Sequence, residues 1–267
     1  MLIDIHAHFG QRSADAVPAP RLATYAGVSG VDFLLVSNRD AATEPAGAAN
    51  LDETDANVAC LEACQRQPRL IPLYWVRPGR ADSSVYAFTG ALASEPFAAA
   101  LFAPAAGGFD AGDEVLDDYL SVLASIGRPA VFCVSDDERA APGKVYEAAR
   151  RHAALSVVLC PCGAGEARRR ECVEVVRQAQ QRGDAGVYVD TSHAGAAEVR
   201  AAVEAVGAER VLYGTNALAF GDSHVPRHIA LLDELRGLLP GGQFEQVTAG
   251  NAMQLFRLGK RASGAAR

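Results

Sequence analysis

Two histidines near the start of the chain have the spacing of a metal-binding pair. Residues 1–10 predict a first β-strand, and His6 and His8 lie two positions apart on it. Side chains alternate in direction along a strand, so both imidazoles point to one side, about 7 Å apart along the backbone. Imidazole is a good ligand for zinc, iron or nickel. Asp4 shares the parity of the pair, and we expect its carboxylate to orient a ligand histidine. The alternative is a buried strand whose histidines bond to backbone.

The elements that would position this pair alternate between strands and helices. Eight apolar segments predict strands, at 1–10, 31–37, 70–76, 97–103, 130–134, 155–160, 186–190 and 210–213. Helices are predicted at 21–26, 50–67, 82–94, 113–126, 142–153, 166–182, 196–206, 224–238 and 250–258. This alternation predicts an α/β fold, a (β/α)8 TIM barrel. A doubly wound open sheet is the alternative, but no Gly-x-Gly-x-x-Gly follows the first strand to support dinucleotide binding.

Composition excludes several classes of function. The 267 residues carry 25 Lys and Arg against 32 Asp and Glu, a net charge of −7, which disfavours nucleic-acid binding. No apolar run reaches the ~20 residues that cross a bilayer. Six cysteines, in a chain whose first residues predict a core strand rather than a signal peptide, indicate reduced thiols and a cytoplasmic location. We expect one barrel domain over residues 1–258 and a flexible tail over 259–267.

In such barrels the chemistry gathers at the C-terminal ends of the strands. Those ends carry Arg39, Arg77, Cys133, Cys160, Cys162, Asp190, His193 and Asn216. Arg39 and Arg77 suit a carboxylate-bearing substrate if they face the pocket. Cys160 and Cys162 could bind a soft metal or form a redox pair, although packing and turn formation are the favoured interpretation.

A further pair, His224 and His228, has the i, i+4 spacing that metal sites also use. This pair is far along the chain from the first strand. We therefore interpret it as part of a solvated helix face.

Four segments resemble the amidohydrolase superfamily, and within it the amidohydrolase-related branch (amidohydrolase 2 type) of hydrolases and decarboxylases. These are Asp4-x-His6-x-His8 on the first strand, Val187 to Ser192 on the seventh, Arg210 to Asn216 on the eighth, and Gly250 to Phe256 in the closing helix. Their order and separation extend the resemblance through most of the chain. The resemblance implies a metal-bearing barrel that activates water or, in some members, removes a carboxyl group.

The sequence departs from the family's pattern at three strand ends. The family usually carries a histidine at the end of strand five, where this chain has Cys133, and another before the glycine of strand six, where it has Pro161. Catalytic zinc normally takes three protein ligands and a water, and thiolate is a good zinc ligand. We therefore predict a divalent metal, zinc in the first place, bound by His6, His8 and Cys133.

The third departure is Asn216, which stands where the family usually has aspartate. An amide is neutral and cannot act as a general base, and the loss of a general base typically costs ~10²–10⁴-fold in rate. Asp190, His193, Asp222 and His224 are the candidates to replace it.

Two functions follow from these residues. The first is a metal-dependent hydrolase or carboxy-lyase that acts on a small organic, carboxylate-bearing substrate, with Asn216, Asp190 and His193 as catalytic candidates and Arg39 and Arg77 as substrate-binding candidates. The alternative is a degenerate barrel without hydrolytic activity, which binds or assembles with a partner or performs metal-free chemistry. We expect a small-molecule partner and neither nucleic acid nor a membrane, and the sequence leaves a homo-oligomer open.

Overall fold

The computed structural model describes residues 1–11, 17–43, 51–162 and 165–259. Within them a parallel sheet has its strands in sequence order. The strands are β1 (Ile3–Phe9), β2 (Phe33–Asn38), β3 (Leu70–Val76), β4 (Ala99–Phe102), β5 (Ala130–Cys133), β6 (Ser156–Cys160), β7 (Gly186–Asp190) and β8 (Val211–Leu212). The peptide N–H of Ile5 donates to the carbonyl of Tyr213 (3.0 Å), which joins the last strand to the first. The predicted (β/α)8 barrel is therefore confirmed.

Helices connect the strands around the outside of the barrel. They are α1 (Ala19–Val28), α2 (Glu53–Arg66), α3 (Val85–Ser94), α4 (Pro104–Gly107), α5 (Asp117–Ile126), α6 (Pro142–Arg150), α7 (Glu166–Arg182), α8 (Ala196–Val206), α9 (His224–Leu238), α10 (Gln243–Glu245) and α11 (Asn251–Leu255). None of these helices is long and apolar enough to cross a membrane.

The core has two layers because strand side chains alternate in direction. Along β2, Leu35 belongs to the cluster that fills the barrel, whereas Leu34 and Val36 pack outward in the cluster that includes α1. Trp75 and Leu101 complete the same interior cluster from β3 and β4. A barrel packed in this way has a solid centre, so chemistry is confined to its rim.

The structure refines two predicted elements. The helix predicted at 113–126 begins as a 3₁₀ turn, Glu114–Leu116, since the Asp113 side chain accepts the N–H of Val115 there. Strand β8 is only Val211–Leu212, because the N–H of Tyr213 donates to Val247 (3.0 Å) rather than into the sheet.

Three predictions fall partly outside the described residues. Residue 50 of the predicted helix 50–67, and Gly163 after the β6 cysteines, are among the residues not described. The predicted flexible tail lies outside the described residues from position 260 onward. The end of the barrel domain at residue 258 stays a prediction.

Candidate metal centre

The histidine pair of β1 meets at the mouth of the barrel. Ile3 and Ile5 face the interior, but Ala7 packs in the outer layer, so the alternation switches at a register irregularity between Asp4 and Ala7. After this switch the imidazoles of His6 and His8 converge, and their Nε2 atoms lie 3.0 Å apart.

Hydrogen bonds at Nδ1 hold both rings in place. Ser192 donates its hydroxyl to Oδ2 of Asp190, so the Nδ1–H of His6 donates to both oxygens, at 3.1 Å to Asp190 and 2.9 Å to Ser192. Nδ1 of His8 lies 2.7 Å from the hydroxyl of Ser37 on β2. A carboxylate or hydroxyl on the far nitrogen fixes the orientation of a ligand imidazole, and at His6 it fixes the tautomer that leaves Nε2 free to coordinate.

Two cysteines complete the cluster. Cys133 and Cys160 are direct partners in the register of β5 and β6. Among the residues that the structure describes, the ligand atoms of His6, Cys133 and Cys160 all lie within 4.8 Å of one another, close enough to hold one metal ion. Cys162, by contrast, packs in the outer layer with Cys172. The two cysteines of the β6 end therefore face different layers.

The four side chains perturb one another strongly. Burial alone would lower the pKa of His6, but hydrogen bonds to Asp190 and Cys133 outweigh it and raise that pKa to about 10. Burial lowers the pKa of His8. The neighbouring Cys160 and the two histidines hold the pKa of Cys133 well below its usual range, while Cys133 raises that of Cys160. His6 and Cys133 thus stabilise each other's charged form.

This donor set fits a divalent metal ion. At 3.0 Å the two Nε2 atoms either share a hydrogen bond, one ring donating to the other, or both coordinate one ion. Imidazole and thiolate together are the ligands that zinc prefers in proteins.

The expected role of Asp4 is wrong. Its carboxylate accepts the backbone N–H of His6 (3.1 Å) and the N–H and hydroxyl of Thr215, and Tyr25 donates to it from α1 (3.3 Å). The register irregularity turns Asp4 outward while the histidines turn inward. Asp190, two strands away around the ring, orients His6 instead.

The catalytic candidates at the ends of β7 and β8 contact each other. The Asn216 amide donates to Nε2 of His193 (3.1 Å), which places the ring hydrogen on Nδ1. Both residues have left-handed backbone, with φ of 52° and 67°. Asparagine and histidine tolerate this region better than most residues, although each such position still stores strain of ~1–3 kcal/mol. Burial and the charge of His6 lower the pKa of His193.

The helical pair His224 and His228 is not solvated, and that interpretation is wrong. Both are buried, at 2% and 3% exposure. His224 bonds through Nε2 to the Thr215 hydroxyl (3.1 Å), and His228 bonds to Tyr213 (2.7 Å) and to the Ser29 carbonyl (3.1 Å). The first turn of α9 packs against the barrel, so spacing along the helix did not indicate exposure.

A cavity of about 210 Å³ opens beside His193, between the loop after β7 and α9. Its wall is mostly apolar, and the Arg227 guanidinium lies 4.2 Å from the ring of Phe220 there.

The two predicted substrate arginines have different surroundings. Arg77 is buried, pairs with Asp82 (2.8 Å) and donates to the Leu51 carbonyl (2.6 Å). Arg39 is exposed in the turn after β2, and its charge lowers the pKa of His8 along with burial and His6. Of these two arginines, Arg39 is the one whose charge acts on the histidine pair.

The sequence pattern of the amidohydrolase family (amidohydrolase 2 type) matches residues 3–258. The chain belongs to the amidohydrolase family. No curated protein of known function matches it.

Solved structures similar to this member of the family include several decarboxylases. The 5-carboxyvanillate decarboxylase of Novosphingobium aromaticivorans, solved with manganese and a nitrobenzoic acid, has a TM-score of 0.76 at 14% identity, over 97% of this chain and 96% of that one. The 2,6-dihydroxybenzoate decarboxylase of Rhizobium has 0.73 at 13%, over 97% and 99%. The IDCase of Metarhizium anisopliae has 0.70 at 14%, over 98% of each chain. At these identities the similarity establishes the fold.

The structure brings the predicted metal ligands near one another and adds one neighbour. Nε2 of His6 lies 3.0 Å from that of His8, and Cys133 hydrogen-bonds to both histidines. Their role as ligands stays a prediction. Sequence reasoning left Cys160 as a packing residue, because its proximity to Cys133 depends on the register between strands rather than on spacing along the chain.

Proposed function

We propose that the protein is a metal-dependent enzyme that acts on a small carboxylate-bearing substrate, and that it is a carboxy-lyase rather than a hydrolase. The observation that carries the proposal is the convergence of the His6 and His8 Nε2 atoms at 3.0 Å, with each Nδ1 held by an oxygen. Hydrogen bonds of this kind orient the two imidazoles before a metal binds, which is typical of metal enzymes.

His6, His8 and Cys133 would hold the ion, with zinc as the expected metal. When bound, a divalent ion supplies a Lewis acid that polarises a carboxylate or an adjacent oxygen. The protein's part is to keep the Nδ1 hydrogen of His6 on the Asp190 side, so that Nε2 stays available.

The amide at position 216 bears on which of the two reactions is favoured. Hydrolysis requires that a proton be taken from water, and the Asn216 amide cannot accept it. Loss of CO₂ breaks a carbon–carbon bond, leaves the electron pair on carbon and requires a proton to be delivered to that carbon. His193 borders the cavity and is the candidate carrier in its protonated form, which would release one proton to that carbon and return to the neutral ring.

The proposed substrate class is a small aromatic carboxylate. The solved neighbours are named as decarboxylases of 5-carboxyvanillate and 2,6-dihydroxybenzoate. A cavity of about 210 Å³ with a mostly apolar wall suits a single ring, and Arg227 in that wall supplies positive charge. The charge of Arg39 acts on His8.

The test is CO₂ release by protein purified without chelator and loaded separately with zinc and with manganese. A panel of hydroxylated benzoates would be assayed with the wild type, with His8→Ala and with Cys64→Ser as a control away from the site. We expect release from at least one substrate, loss of it in His8→Ala and retention in Cys64→Ser. Stoichiometrically loaded protein that releases no CO₂ from any member would contradict the proposal.

A barrel that binds without catalysing is the second candidate. Asn216 in place of the family's usual aspartate, and Cys160 beside the predicted ligands, favour it. Tight binding of an aromatic acid without turnover, with the metal present, would support this candidate over the first.

A further inference from the structure

Cys160 lies where a fourth ligand would be required. It is fully buried, at 0% exposure, and belongs to the cluster that fills the barrel, at the rim where β6 ends. Its partner across the sheet is Cys133, which packs against the same cluster. Neither cysteine forms a disulfide.

Three donors lie close together, and His8 adjoins them. The ligand atoms of His6, Cys133 and Cys160 lie within 4.8 Å of one another, and Nε2 of His8 lies 3.0 Å from Nε2 of His6. From this juxtaposition we propose that Cys160 is a ligand, so that the protein holds its ion with two imidazoles and two thiolates.

The donor set determines which ion is favoured. Two imidazoles and two thiolates in a tetrahedron are typical of zinc, whereas manganese prefers carboxylate, carbonyl and water oxygens. Four protein donors complete the tetrahedron, so the substrate of the proposed function would have to enter as a fifth ligand, a geometry that catalytic zinc can adopt. This centre would therefore select zinc against manganese, the ion held by the solved 5-carboxyvanillate decarboxylase.

The decisive measurement counts sulfur atoms around zinc in the unaltered protein. Zinc-edge X-ray absorption of the stoichiometric zinc form is expected to show two sulfurs at about 2.3 Å and two nitrogens at about 2.0–2.1 Å. One sulfur with an added oxygen, or none, would overturn the proposal. Visible absorption of an iron–sulfur cluster in freshly purified protein would also overturn the proposal, because cysteine ligands can bind such a cluster.

Cobalt substitution gives a second readout. Thiolate-to-cobalt absorption in the near ultraviolet should fall by about half in Cys160→Ser and in Cys133→Ser, since each removes one of two thiolates. Cys172→Ser is the matched control, because Cys172 is equally buried (0%) but lies in the outer layer. Unchanged absorption in Cys160→Ser would overturn the proposal, and the wild-type sulfur count decides the matter if that variant does not fold.

Metal competition tests selectivity directly. With equimolar zinc and manganese, metal analysis of the wild type should find zinc almost alone, and equal occupancy would contradict the proposed donor set. The inference builds on the metal centre of the proposed function, but the two fail separately. Two sulfur ligands to zinc without CO₂ release would contradict the carboxy-lyase proposal alone. CO₂ release with one sulfur ligand would contradict only the role of Cys160.

Discussion

Oδ2 of Asp190 lies 3.1 Å from Nδ1 of His6, and this contact joins the end of β7 to β1 across the mouth of the barrel. Asp190 is itself held by the N–H of Cys162 (2.8 Å) on its other oxygen. Gly214 leaves room for it, because a Cβ at that position would lie 2.7 Å from Oδ2. The carboxylate is thus fixed from three sides, and the orientation of His6 follows from it.

Removing that charge should weaken metal binding. We expect Asp190→Asn to lower zinc affinity by ~10–100-fold, which is the usual effect of losing the oxygen behind a ligand histidine. Competition with a chromophoric chelator measures the change. Asp184→Asn is the control, because Asp184 bonds to Tyr146 and pairs with Arg150 away from the histidines. Equal affinities in Asp190→Asn and the wild type would show that Asp190 does not support the ligand.

The fold could be predicted from the sequence because each element carries its own signal. Continuous apolar runs ended by Gly or Pro set β3 and β7 at the residues where the structure has them. Strand β8 was the least well defined, since Tyr213 bonds to a residue of the closing helical segment that lies far along the chain.

Spacing along the sequence could predict only the part of the site whose residues lie on one strand. His6 and His8 are such residues. Asp4 did not follow its parity, because an irregularity in β1 reverses the alternation. The positions of Asp190 and Cys160 depend on which strands are neighbours and in what register, and no local pattern encodes that.

Substitution of Arg77 should affect stability, whereas substitution of Arg39 should affect substrate binding. Arg77 is buried and paired with Asp82, so Arg77→Ala should lower the free energy of unfolding by ~1–3 kcal/mol. Arg39 is exposed, and Arg39→Ala should leave stability within ~0.5 kcal/mol and weaken binding of benzoate-type acids. Urea unfolding and calorimetric titration with 2,6-dihydroxybenzoate measure the two effects. Unchanged affinity in Arg39→Ala would remove this residue from the substrate site.

Restoring a carboxylate at position 216 should change His193. In the wild type the amide donates to Nε2, and burial with the charge of His6 lowers the pKa of the ring. In Asn216→Asp a negative oxygen replaces that donor and favours the protonated imidazole, so the pKa of His193 should rise. Nitrogen-15 NMR titration of the ring measures it, with Asn216→Ser as the neutral comparison. A pKa that does not rise in Asn216→Asp would mean that the two side chains are not in contact in solution.

The buried His224 should make the fold sensitive to acid. Burial, together with the charges of His228, His193 and Arg227, lowers the pKa of His224 to about 4. The unfolded chain, with an ordinary pKa near 6.5, therefore binds the proton first. The neutral ring of His224 therefore contributes fully to the free energy of unfolding above about pH 6.5. This contribution, on the order of 3 kcal/mol, is lost as the pH falls toward 4.

In His224→Gln that part of the acid loss should disappear. The free energy of unfolding in urea, measured from pH 7.5 to 4.5, should fall less steeply in the variant than in the wild type. The difference between the two proteins at pH 7.5 gives the cost of the substitution itself, because the wild-type ring is neutral there. Parallel curves over this range would show that His224 keeps an ordinary affinity for the proton, and that its contact with Thr215 does not exclude charge from the base of α9.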